Sequence, residues 1–107
     1  MDGTSKDIYY ENGFSFHDEF KDGQITFKRI GGNFTGTTGH VSYQAKKIAD
    51  KIYVVNFLVT SSHSFVTLIF DFGQNILHAS AIRGVGTKDE AIFLEDATIE
   101  NLHLKEK

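Results

Sequence analysis

Residues 51–72 read KIYVVNFLVTSSHSFVTLIFDF, and this stretch decides the fold. Two runs rich in β-branched and aromatic residues, 52–59 and 65–72, flank the polar break Thr60-Ser61-Ser62-His63-Ser64. Runs of that length bounded by small polar residues predict two strands of a β-hairpin, and a five-residue loop is ordinary for one. Alternation puts Tyr53, Val55, Phe57 and Val59 on one face of the first strand, with Ile52, Val54, Asn56 and Leu58 on the other. In the second strand Val66, Leu68, Phe70 and Phe72 oppose Phe65, Thr67, Ile69 and Asp71. Both faces are largely apolar, so both call for cover. One cover is a barrel interior. The other must be a helix, a second sheet, a loop such as residues 84–89, or a second subunit.

Outward from this hairpin, turn signals recur about every ten residues. Asn12-Gly13 reads as a type I′ turn, Asp22-Gly23 as the next, and Ala49-Asp50 and Gly73-Gln74-Asn75 punctuate the later strands. Phe14, Phe16 and Phe20 share one face of the second strand, with Asp18 out of pattern; Ile25 and Phe27 share one face of the third. The glycine-rich GGNFTGTTG of residues 31–39 lacks the Lys and following helix of a phosphate cradle, so a turn, bulge or barrel corner is the better reading. Residues 76–83 form a further strand, and 90–95 and 98–104 the last one or two. The first six residues are expected to fray. No stretch keeps a helical period. The expected fold is all-β, an antiparallel up-and-down barrel of about eight strands formed by one domain over residues 1–107.

The 107-residue chain holds 11 Lys and Arg against 14 Asp and Glu, a net charge of −3 that argues against a nucleic-acid partner. No apolar run approaches the roughly 18 residues needed to span a bilayer, and the N-terminus shows no apolar signal region. Zero cysteines fit a cytoplasmic protein. Zero prolines suit paired strands, because proline lacks a ladder donor.

The order Tyr10-Glu11-Asn12-Gly13-Phe14, Lys21-Asp22-Gly23, 27–30, the glycine-rich link, Ile52-Tyr53-Val54-Val55-Asn56-Phe57 and 66–72 resembles the bacterial phenolic acid decarboxylases. It is equally similar to MoaF-type domains, named for molybdenum-cofactor biosynthesis protein F. The resemblance covers residues 8–82 and implies a small lipocalin-like (calycin-like) barrel with a central cavity, commonly dimeric. It does not carry the decarboxylase chemistry. The two tyrosines of that family fall on Ile8 and Tyr10, its Arg on Thr37 and its Glu on Val59, so only Tyr10 survives. Thr37 and Val59 offer neither a fork for a carboxylate nor a titratable group. The MoaF-type reading fits better.

Five histidines, His17, His40, His63, His78 and His103, are dispersed without metal-ligand spacing. His17 and His40 sit among polar neighbours on an expected outer face, and His63 in a loop; His78 has apolar neighbours in both alternations. Arg29, on the apolar face of Ile25 and Phe27, either binds an anion inside the barrel or slips into solvent at the strand end; the following Gly31-Gly32 favours the slip. Asp71 is a cavity carboxylate or a strand-end residue before Gly73. Asn33-Phe34-Thr35 matches a glycosylation sequon, irrelevant without secretion.

These features predict a binder of one small apolar or aromatic ligand. The expected lining is Tyr10, Phe14, Phe16, Tyr53, Phe57 and Phe70, with Arg29 or His78 as polar anchor. No cofactor or metal is expected, and no nucleophile–base set can be assembled from the spacing. The alternative is an interaction module whose barrel is filled by its own side chains, with an enzyme third. A homodimer through the hairpin from Ile52 to Phe72 would cover its second face.

Overall fold

The structure, a computed structural model, describes residues 1–32 and 35–103. Asn33 and Phe34 of the sequon, and Leu104 with the charged tail, lie outside the described residues. Eight strands follow in chain order: β1 (Thr4–Tyr10), β2 (Ser15–Lys21), β3 (Gln24–Gly31), β4 (Thr38–Ala49), β5 (Ile52–Val59), β6 (Ser64–Asp71), β7 (Ile76–Arg83) and β8 (Ala91–His103). Each pairs antiparallel with the next, and β8 returns to β1, closing the barrel. Closure leaves no unpaired edge.

The turn chemistry explains the meander. Asp22 and Gly23 both take positive φ, as a two-residue type I′ link between Lys21 and Gln24 requires. The Asn12-Gly13 turn differs from expectation. Only Gly13 is left-handed there (φ +95°), and the loop is three residues long, closed by the Tyr10 and Gly13 amides. That pairing of a right-handed turn with a left-handed glycine is the three-residue alternative to type I′.

The central hairpin forms as the alternation implies. Tyr53, Val55, Phe57 and Val59 pair with Phe70, Leu68, Val66 and Ser64, all facing inward. Ile8, Phe20, Ile25, Val55, Leu68, Phe70, Leu77, Ala97 and Ile99 make the buried core. Gly39 leaves room for it: a Cβ there would lie 2.5 Å from Cζ of Phe27, its cross-strand partner.

Two long strands change partners midway. β4 pairs with β3 through residues 38–42 and with β5 from Tyr43 onward. β8, a single strand across the two segments expected at 90–104, pairs with β7 up to Thr98 and with β1 from Ala97. These switches divide the outer surface. Outward positions on β1–β3 include Ser5, Asp7, His17, Glu19, Thr26 and Lys28, a polar face. Outward positions on β5–β8 carry Leu58, Phe65, Ile82 and Ile92 in one cross-strand row, with exposures of 55%, 42%, 36% and 78%. Leu94, two residues along, is 79% exposed. The loop after β7 does not cover this row; its Gly84 and Val85 amides bond the carbonyls of Ser62 and His63 in the β5–β6 turn.

The chain start does not fray as expected. β1 begins at Thr4, and Lys6 is completely buried.

Candidate functional site

The inward side chains form two aromatic groups rather than one lining. In the first, Tyr10 meets Phe16 edge-on at 6.0 Å between centroids, and Phe16 meets Phe27 at 6.4 Å. The Arg29 guanidinium lies 4.8 Å from the Phe14 ring centre and 5.1 Å from Phe16. Arg29 is thus half-buried among rings opposite its partner Phe16, not slipped into solvent. Burial, then the nearby Asp18 and Glu95 carboxylates, push the Tyr10 phenol well above its ordinary value.

The second group sits toward the β4–β5 turn. Phe20 packs edge-on with Tyr43 at 4.9 Å and Phe70 at 5.8 Å; Phe70 meets Phe72 at 5.7 Å, and Phe72 meets Tyr53 at 5.8 Å. A cavity of about 250 Å³ opens here, lined by Met1, Thr4, Lys47, Asp50, Lys51, Tyr53, Phe72 and Leu102. A polar groove of about 400 Å³ follows the point where β4 leaves β3, walled by Gln24, His40, Ser42, Thr60 and Ser61 beside Val41, Leu58 and Val59. Its lining holds no Phe or Tyr.

Beneath the cavity floor lies the most unusual group in the molecule. Lys6 Nζ donates to Thr4 Oγ1 at 2.8 Å and sits 3.5 Å from the Phe20 ring centre and 5.0 Å from Phe70. Asp18 is its cross-strand partner, yet the two make no ion pair within 4.0 Å. The lysine stem carries its charge to Thr4 and the Phe20 ring, where the Asp18 carboxylate still acts on it. Burial holds the Lys6 ammonium down to about 7, partly offset by Asp18. Burial raises Asp18 to about 6, with Lys6 acting in the opposite direction.

Of the expected lining, Tyr10, Phe14, Phe16 and Arg29 come together in the first group. Tyr53 lines the cavity, and Phe70 is fully buried behind it in contact with Phe72. Phe57 faces inward between Tyr43 and Val66. His78 stands outside the barrel: its Nδ1 is 2.7 Å from Asp96 Oδ1, and its neighbours Leu77 and Ala79 take the inward positions. Asp71 is a strand-end residue, accepting the Gly73 and Gln74 amides at 3.0 and 3.1 Å. His17 faces outward between Asp7 (2.6 Å) and Glu19 (3.0 Å). The Asp7 bond above all raises its pKa, against a smaller effect of burial.

Sequence reasoning missed Lys6, Asp18, Phe72, Lys47 and Lys51. Asp18 was visible as the charge on the Phe14, Phe16 and Phe20 face. Lys6 shares the alternation of Ile8 and Tyr10, a signal that extending β1 by one turn of the pleat exposes.

Residues 1–83 match the family described as the MoaF N-terminal domain. Among solved structures, a crystal structure of a Burkholderia vietnamiensis protein provisionally named a β-lactamase superposes with a TM-score of 0.78. It shares 16% identity over 92% of each chain, which speaks for the fold alone. No protein of curated function matches the chain.

Proposed function

The chain belongs to the MoaF N-terminal domain family, and from that premise we propose that this lipocalin-like barrel binds one small apolar or aromatic molecule. The observation that carries this reading is the 250 Å³ cavity with Tyr53 and Phe72 as its rings and Met1 and Leu102 beside them. The middle of the barrel is filled by Ile8, Phe20, Val55, Phe70 and Leu77, so the ligand sits at the barrel end rather than along its axis. A site below the roughly 300–1,000 Å³ of drug-sized pockets suits a single ring or a short chain. Offset or edge contacts to the two rings favour a flat ligand.

Decarboxylation of hydroxycinnamic acids is not part of this proposal. Ile8 is a core residue, Thr37 is exposed before β4, and Val59 ends β5. Ile8 and Val59 have no polar side-chain atom, and Thr37 has neither the charged fork nor the titratable group that this chemistry uses. The absence of cysteine and the polar character of the β1–β3 face fit the cytoplasm as the proposed location.

The test is a thermal-shift screen with aromatic and aliphatic probes: hydroxycinnamates, pterin-like heterocycles and fatty acids. A probe at a hundredfold excess over its Kd stabilises the fold by about 2.7 kcal/mol, and Tyr53→Ala or Phe72→Ala weakens the shift. No stabilisation by any probe contradicts the proposal.

A second reading has its own observation, the uncovered row of Leu58, Phe65, Ile82 and Ile92. Exposed apolar patches of this kind mark interfaces. The face carries Asp71, Asp96 and His78 but no Lys or Arg, which disfavours an anionic membrane. With so little charge, one copy meets another without strong repulsion, so a two-fold homodimer that includes the β5–β6 hairpin is the proposed occupant.

A further inference from the structure

We infer that the cavity takes a small carboxylate with an apolar body, and that Lys6 beneath its floor is the counter-charge, reached through Thr4. This rests on the ligand-binding reading above and names the ligand class. Four observations support it. Lys6 is 0% exposed, its one hydrogen bond among the described residues goes to Thr4, and the Phe20 and Phe70 rings face the ammonium in place of further acceptors. An ammonium withdrawn from water and left so sparsely bonded is costly, and an anion within reach reduces that cost. Thr4 itself lines the cavity, and its hydroxyl donates to the Met1 carbonyl at 2.8 Å. A ligand carboxylate that replaces this carbonyl receives the Thr4 O–H, while the same oxygen still accepts from Lys6. The head group then lies one hydroxyl away from the ammonium.

The remaining charges point the same way. Lys47 and Lys51 line the mouth against Asp50 as the single carboxylate of the lining. Asp18, the acidic group nearest Lys6 in the strand register, stays beyond ion-pair distance. The lining itself thus carries two lysines and one carboxylate. The apolar body of the ligand lies against Tyr53, Phe72 and Leu102, and the Phe20 and Phe70 rings hold the ammonium in place from below. Burial also holds the Lys6 pKa near 7, so carboxylate binding above neutral pH draws in a proton.

Calorimetric titration of two matched pairs, cinnamate with cinnamyl alcohol and octanoate with octanol, tests this. The expected result is that each acid binds at least tenfold more tightly than its alcohol. Lys6→Met, which keeps the buried stem, abolishes the preference of acid over alcohol. The wild-type preference persists when salt is raised from 0.05 to about 0.5 M, because a buried charge is screened far less than a surface one; this arm does not depend on the variant folding. Equal binding of acid and alcohol overturns the inference while the ligand-binding reading stands. A preference that vanishes with salt, or that falls with Lys47→Met and Lys51→Met but survives Lys6→Met, overturns the role of Lys6. Failure of all four compounds to bind removes both.

Discussion

Lys6 and Asp18 are adjacent in the β1–β2 register and buried together, and their titrations run in opposite directions with pH. Unfolded, Lys6 keeps its proton to about 10.5; folded, it releases it near 7. Between those values the unfolded chain holds more protons, so stability rises with pH. For Asp18 the folded value is raised from 3.8 to about 6. Between those the folded chain holds more protons, so stability falls as pH rises. The pair therefore places a trough near pH 6–7. Urea unfolding should show the Lys6 contribution recovering by on the order of 4 kcal/mol toward pH 10. In Lys6→Met that rise is lost; an unchanged rise contradicts the buried-lysine assignment. Asp18 was legible as a charge on a phenylalanine face. Lys6 was not, because polar neighbours on both sides made residues 1–6 look like a loose terminus.

At the scale of elements, the β5–β6 hairpin and β7 were readable to within a residue. Their β-branched and aromatic runs are long, and small polar residues bound them sharply. Partner switching in β4 and β8 was not readable, because alternation fixes a residue's face and not its neighbour. The glycine-rich link was readable in kind. Gly31 pairs with Ser15 directly after the bulge that leaves Ile30 of β3 without a partner, and Gly39 opens β4 under the Phe27 ring. Gly39→Ala pushes a methyl to 2.5 Å from that ring, and overpacking of this sort costs about 1–3 kcal/mol. Denaturant midpoints should show the loss, and Phe27→Leu in the same chain should return part of it. Additive effects of the two substitutions would mean that β3 and β4 do not meet as described.

Across the whole molecule, an inward-facing position says nothing about height along the barrel axis. The expected lining therefore mixed the Arg29 group at one end with Tyr53 and Phe70 near the other, and a packed centre separates them. The two outer faces were legible from the two-sided apolar hairpin, and the structure leaves the apolar one open. Light scattering is expected to give a dimer mass, with Ile92→Lys and Leu94→Lys shifting it to monomer while the circular dichroism is unchanged. A monomer at high concentration in the wild type removes the proposed interface. Ligand binding itself is tested most directly by amide chemical-shift mapping during titration with cinnamate. The prediction is a compact set of shifts at Thr4, residues 47–53, Phe72 and Leu102. Shifts clustered around Arg29, Phe14 and Tyr10, or no saturable shifts at all, would contradict it.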